Sequence, residues 1–186
     1  RKKNGGKGKA LADGVRKADE LGLTHVLQID SDGQHDAERV GHFVEVSKKN
    51  PDAIICAYPE YDESAPKHRV NGRTIANAWI HTVTLSKQIK DGMIGFRIYP
   101  VAPYVKLLNS HAIIDARMGY DIDILVRLFW KNVPVICESV KVTYPVDGVS
   151  NFRLVRDNAR ISLTYARLFL GMIVRLPILI FRKIKG

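Results

Sequence analysis

The stretch THVLQIDSDGQHD, residues 24–36, places Asp30, Asp32 and Gln34 at alternate positions just past an apolar run. Side chains two apart on an extended chain point the same way, so these oxygen-bearing groups can converge on one point beyond a sheet edge. Such a set suits a hard cation, Mg²⁺ or Mn²⁺, held by one or two carboxylates and completed by phosphate oxygens and water. A cation there would neutralise a departing diphosphate. Two other readings compete. The turn can be merely solvated, with Asp36 capping a helix that starts near Ala37. Alternatively, Asp30 is the nucleophile of a haloacid dehalogenase-type phosphatase, whose strand ends in D-x-D-G-T. Gln34 stands where that Thr belongs, and no later G-D-x-x-x-D pair follows. His35 points away from the side shared by the two Asp residues and Gln34, and reads as a local hydrogen-bonding partner.

The elements that must position this turn can be read from periodicity. Leu11, Val15 and Ala18 lie at helical spacing within 10–21, and Gly22 follows as a stop. The strand HVLQI then buries Val26, Leu27 and Ile29. A helix is expected over 37–49, a strand in DAIICAY, a long charged loop over 59–73 and a helix over 75–86. DGMIGFRIYP reads as a strand or tight turn, followed by helices over 101–109 and 122–131 and a strand in VPVICESVKVTYP. Helices alternating with short buried strands predict an α/β layered domain with a mainly parallel sheet. Ligands bind at the carboxyl ends of such strands, where Asp30 sits.

The 186 residues, 46% hydrophobic and 26% charged, describe an ordinary globular balance and exclude a disordered chain. Cys56 and Cys137 both lie in apolar, strand-like settings and are expected as free thiols. The net charge of +10 calls for a polyanionic partner. No nucleic-acid-reading motif or aromatic stacking platform accompanies it, so no nucleic acid is expected. The chain opens without Met and without a signal-peptide pattern, on a basic glycine-rich run, which reads as a piece of a longer protein.

Several segments together resemble family 2 glycosyltransferases of the GT-A fold, in particular the dolichyl- or polyprenyl-phosphate sugar synthases. NGGKGKA is similar to the family's N-x-G-K-G-x-A helix start, and QIDSDGQH to its strand ending in D-A-D-G-Q-H. DGMIGFR is similar to D-x-x-x-G-F-R. GYDIDILVRLFWKN and VKVTYPVDGVSNFR are similar to the G-F-x-x-D helix and the later P-x-x-Y and G-x-S stretch. The likeness covers about 4–153 and implies a Rossmann-like three-layer domain over 1–150, followed by a basic amphipathic tail over 151–186. It implies that Asp30 and Asp32 bind metal and donor diphosphate, with Gln34 a further ligand. Asn4, Gly6, Lys7 and Gly8 would lie beside the donor, where glycines permit close approach and a helix start favours phosphate. Arg97 would stand on the acceptor side, with Arg73 in the long loop as a phosphate clamp. The family's first strand and its base-holding acidic strand are not found in the chain, so an N-terminally truncated domain with weak or no activity of its own is expected.

Inverting transfer to a hydroxyl needs a base opposite the diphosphate. Asp123 is the first candidate and Asp121 the second. The competing reading makes Asp121 a helix cap and Asp123 a residue favoured by the helix dipole. A lipid-phosphate acceptor would need no base.

In the tail, Arg153, Arg156, Arg160 and Arg167 share one side of a helix, and Leu154, Ile161, Tyr165, Leu168, Phe169 and Met172 share the other. Two readings follow: a helix packed on this or a following domain with its arginines in solvent, and, the one carried forward, peripheral contact with an anionic membrane surface through 153–182. LFLGMIVRLPILIF is too short to span a bilayer. The combined expectation is a cytoplasmic enzyme at the inner membrane face, using Mg²⁺ or Mn²⁺ to move a sugar from a nucleotide-diphosphate sugar to a lipid or lipid-linked acceptor in cell-envelope or glycolipid synthesis. The alternative of another class is a noncatalytic basic module docking on membrane or nucleic acid.

Overall fold

A computed structural model describes residues 5–30, 36–61, 65, 67–142 and 154–185. Helix α1 (Lys7–Glu20) leads to strand β1 (His25–Gln28), and a single 3₁₀ turn at Ala37–Arg39 opens α2 (Val40–Lys49). Strand β2 (Ile54–Tyr61), α3 (Lys67–Thr84), β3 (Arg97–Pro100) and α4 (Val101–Leu108) follow. The chain continues through α5 (Tyr120–Trp130) and β4 (Val135–Val142) to α6 (Leu154–Lys185). Asp36 caps the 3₁₀ turn as its residue type predicts, accepting a 2.9 Å hydrogen bond from the Glu38 amide.

The four strands are ordered β1-β3-β2-β4. β2 and β4 pair in parallel, whereas β3 runs antiparallel to both β1 and β2. Three strands therefore point one way around a single reversed strand, and the sheet is mixed at the level of its pairs. β2 is buried on both faces. Ile54 and Cys56 join the core made with α1, α3, α4, α5 and α6, while Ile55 and Ala57 join Phe43, Phe96 and Ile98 under α2. The Phe43 and Phe96 rings stack at 4.3 Å. This gives helix, sheet and helix layers, the arrangement that covers a mixed sheet on both faces.

Three expectations are corrected. Leu27 and Ile29 are 41% and 38% exposed, because β1 lies at the edge of the sheet rather than inside it. The 59–73 segment is no long loop, since β2 extends to Tyr61 and α3 begins at Lys67. The apolar side of α6 does not face outward as one unit. Ile161, Tyr165, Leu168, Met172 and Leu179 pack into the core, and Arg167 turns inward to Asp115 and Asp123 at 3.9 and 4.0 Å. Arg153 lies outside the described residues. Arg175 stacks over the Trp130 ring at 4.7 Å and Arg182 donates to the Trp130 carbonyl at 3.0 Å, pinning the second half of α6 to the end of α5. On the opposite side of that half, Leu170, Ile173, Val174, Ile178, Ile180, Phe181 and Ile184 are exposed.

Candidate active site

Three elements bring their charged groups to one point. β1 ends at Gln28 and delivers Asp30 two residues later; α1 begins at Lys7; α5 carries Asp121 in its first turn. Lys7 Nζ lies 2.6 Å from Asp30 Oδ1 and 2.8 Å from Asp121 Oδ2. Gln28 Nε2 donates to the other Asp121 oxygen at 2.8 Å. Burial alone would pull the Lys7 pKa down, but the charges of Asp121 and Asp30 outweigh it and hold the ammonium above its ordinary range. Two carboxylates from distant parts of the chain thus share one cation. Of the metal ligands anticipated from the sequence, Asp30 is in this cluster, while Asp32 and Gln34 lie outside the described residues, as does Asn4.

The donor set suits a hard divalent ion: carboxylate oxygens that already converge on a positive charge, with no thiol or imidazole among them. Asp30 would hold such an ion together with Asp32 and Gln34, whose types fit it equally. Among the described residues no group of three His, Cys, Asp or Glu side chains forms a cage of its own.

Close packing explains the glycines nearby. A Cβ on Gly95 would lie 2.0 Å from Asp30 Oδ2, so only glycine lets that carboxylate nest against the chain entering β3. Gly8 abuts the Tyr120 ring, where a Cβ would come within 2.4 Å, and its amide donates to the Ala116 carbonyl at 3.1 Å. Gly6 has φ 89°. In this structure Gly6 and Gly8 let the start of α1 approach α5 and the segment before it.

Asp123, the first candidate for the base, has both carboxylate oxygens engaged. It is fully buried, its Oδ2 accepts from the Asp115 amide at 2.8 Å and its Oδ1 pairs with Arg127 Nε. Residues two apart on a helix diverge by about 200°, so Asp121 and Asp123 cannot share a face. Neither is a side-chain cap, since Gly119 occupies the N-cap position. Asp121 is the member that meets Lys7 and the Asp30 side.

Arg97 lies beneath the site rather than at its rim. Its guanidinium is fully buried at the start of β3, with Nη1 donating to Tyr99 Oη at 3.0 Å and to the Asp121 carbonyl at 2.8 Å. Nε and Nη2 find no hydrogen-bond partner among the described residues. Burial works against this charge, yet Tyr99, Cys56 and Asp121 hold its pKa above the ordinary value. Burial pushes the Cys56 thiol up to about 12, which removes it as a nucleophile at neutral pH.

Arg73, anticipated as a phosphate clamp, lines a separate cavity between the end of β2 and α3, together with Tyr58, Asn77, Lys90 and Asp91. Asp91 is buried and accepts from the Met93 and Ile94 amides at 2.9 and 2.8 Å and from Asn77 Nδ2 at 3.2 Å. Asp91, Asn77 and Lys90 were not singled out from the sequence. The available signal was the first position of D-x-x-x-G-F-R, whose carboxylate anchors the turn into β3. Segment 91–97 therefore touches everything: Asp91 the cavity, Gly95 Asp30, and Arg97 Asp121.

The sheet, its covering helices and the charged cluster at the ends of β1, α1 and α5 form an α/β domain with one polar focus. Residues 1–111 match the profile of glycosyl transferase family 2, and the chain belongs to that family. It is similar in fold to glucosyl-3-phosphoglycerate synthase from Mycobacterium tuberculosis in complex with phosphoglyceric acid, with a TM-score of 0.61 at 14% identity over 88% of this chain and 55% of that one. The UDP complex of the same synthase gives a TM-score of 0.59 at 13% identity over 91% and 55%. This chain thus spans about half the length of those structures. No curated protein sequence matches it.

Proposed function

We propose that this chain forms the metal- and acceptor-binding part of an inverting glycosyltransferase that moves a sugar from a nucleotide-diphosphate sugar to a lipid or lipid-linked acceptor. The observation that carries the reading is the convergence of Asp30 and Asp121 on the Lys7 ammonium at the mouth of the sheet. Family membership and a fold shared with a UDP-binding synthase support the donor class. Mg²⁺ or Mn²⁺, held by Asp30, Asp32 and Gln34, would neutralise the diphosphate. Lys7 keeps the two carboxylates apart from mutual repulsion and adds a positive charge on the donor side. Arg97 fixes the start of α5 from below, through the Asp121 carbonyl. The acceptor oxygen forms its bond to the sugar carbon as the bond to the diphosphate oxygen breaks. If that acceptor is a hydroxyl, a carboxylate must take its proton, with Asp123 and Asp121 the two candidates; a phosphate acceptor needs none.

The outward apolar side of α6 supports peripheral membrane contact at the cytoplasmic face. By length and composition alone the helix over 155–184 is long and apolar enough to cross a bilayer, as a packed core helix also can be. Its inner side is nevertheless committed to α3, α5 and Trp130, and this favours a helix lying along the surface. The same face suits the alternative of a noncatalytic membrane-docking module, which predicts no change in melting temperature with Mn²⁺ or a nucleoside diphosphate. A panel of nucleotide sugars and lipid extracts, tested on the complete protein with Asp30→Asn and Asp32→Asn beside wild type, decides the matter. Metal-dependent sugar transfer lost in both variants supports the transferase; release of phosphate without a nucleotide sugar would return the phosphatase reading.

A further inference from the structure

We propose that Thr164 and Arg167 of α6 are positioning residues for the donor side of the site, acting through Asp115 and Ala116 on the start of α1 and so on the Lys7 ammonium. This rests on the transferase reading, in which Lys7 adds its charge on the donor side. Thr164 is fully buried among core positions that α6 otherwise fills with Ile161, Tyr165 and Leu168. A hydroxyl in such a place costs free energy unless it is hydrogen-bonded, so what it holds is informative.

The contacts lead away from α6 to one residue. Arg167 Nη2 donates to Thr164 Oγ1 at 3.2 Å, and that hydroxyl donates to Asp115 Oδ2 at 3.2 Å. Arg167 also stands 3.9 Å from Asp115 and 4.0 Å from Asp123. Asp123 in turn accepts the Asp115 amide at 2.8 Å and pairs with Arg127. Two carboxylates thus meet two guanidiniums, and Asp115 is held by its backbone and its side chain at once. Its Oδ1 accepts from the Arg117 amide at 2.5 Å, which closes the turn around Ala116. Gly119 leaves this turn no slack, because a Cβ there would lie 2.5 Å from Thr164 Oγ1.

Ala116 passes the constraint to α1. Its carbonyl oxygen accepts the Gly8 amide at 3.1 Å, and a Cβ on Gly6 would lie 2.7 Å from the same oxygen. Lys7 sits between these two glycines, so a shift of 115–116 carries its backbone along instead of being absorbed by a gap. The Lys7 ammonium bridges Asp30 and Asp121 at 2.6 and 2.8 Å, and a site of this kind keeps its function only when its groups stay within about half an ångström of their places. A network that served α6 alone would end at Asp115; this one ends on a charged group of the site.

The test uses the complete protein and calorimetric titration with Mn²⁺ and inorganic pyrophosphate, a probe of the diphosphate position that calls on no acceptor base. Thr164→Val removes the hydroxyl and keeps the shape; it is expected to weaken binding about tenfold, as for loss of one hydrogen bond, and Thr164→Ser to restore it to within about twofold. Arg167→Gln should weaken binding by a similar factor, and because Arg167 is only half-buried its variant reads the same contacts if Thr164→Val fails to fold. Arg175→Gln, which loosens the same helix at Trp130, should leave affinity unchanged. In a Lys7→Gln background neither Thr164→Val nor Arg167→Gln should cause further loss, because their effect passes through the ammonium. Hydrogen exchange adds a reading that needs no ligand: in Thr164→Val the Gly8 amide should exchange about tenfold faster while the amides of β2 keep their rates. Wild-type affinity in both α6 variants, equal weakening in Arg175→Gln, or full additivity with Lys7→Gln would each overturn the proposal and leave the transferase reading standing. If the wild type binds no pyrophosphate with Mn²⁺ but the Gly8 amide responds to Thr164→Val, the donor reading falls and the link from α6 to α1 stands. If neither is seen, both fall.

Discussion

At the residue scale, Asp121 and Asp123 are chemically identical and separated by one isoleucine, yet their environments assign opposite tasks. Asp121 shares Lys7 with Asp30, whereas Asp123 is sealed against Arg127 and the Asp115 amide. Asp121→Asn is expected to reduce transfer by about a hundredfold or more while leaving the fold intact, as for removal of one group aimed at a reacting centre. Asp123→Asn should instead lower stability by about 3 kcal/mol, the cost of breaking a buried pair, and Tm by roughly 10 °C. Thermal melts and kinetics on both variants check this; an unchanged Tm in Asp123→Asn would contradict the structural role. The sequence showed two D-x-D spacings but not this difference, because spacing converges on a strand and diverges on a helix.

Lys7 adds a pH prediction. Its folded pKa lies above the ordinary 10.5, so the folded chain binds that proton more tightly and the contribution to stability is complete below the unfolded value. It is lost as pH rises through the higher folded value. The Tm difference between wild type and Lys7→Gln should therefore stay flat from about pH 6 to 9 and shrink only above about 10.5. A gap that closed between pH 7 and 9 would mean that the ammonium is not held as described.

At the scale of elements, the order of helices and strands was legible from apolar periodicity, and Asp30 was correctly placed just past a strand. Strand direction was not, since nothing local in FRIYP records that β3 runs against both neighbours. The start of α3 was hidden because Lys67–Arg73 carries charges and a glycine where a helix usually shows an apolar stripe. α6 misled in another way. Its core stripe was found, but the second apolar side became visible only once Leu168, Met172 and Leu179 were seen to be occupied by the domain. Ile173→Lys with Phe181→Lys should therefore abolish co-sedimentation with anionic vesicles and leave Tm near wild type, because both side chains are exposed. Retained vesicle binding would remove α6 from the membrane account.

For the whole molecule, the proposed membrane contact would draw on the +10 charge and the apolar side of α6 together. Adsorption to anionic vesicles should weaken markedly as salt rises from roughly 0.15 to 1 M, where the screening length falls from about 8 to 3 Å. Adsorption to neutral vesicles should be weaker at low salt and nearly independent of it. Sedimentation across a salt series measures both, and equal salt dependence on the two surfaces would assign the attraction to something other than lipid charge.

The turn from Asp91 to Arg97 ties together the cavity beside α3, the seat of Asp30 and the Asp121 carbonyl. Moving that ribbon by a fraction of an ångström would shift the wall of the cavity, the seat of Asp30 and the prop under α5 at once. Rebuilding this turn to reshape the cavity should therefore also unseat Asp30, whereas changes confined to α3 leave that carboxylate in place.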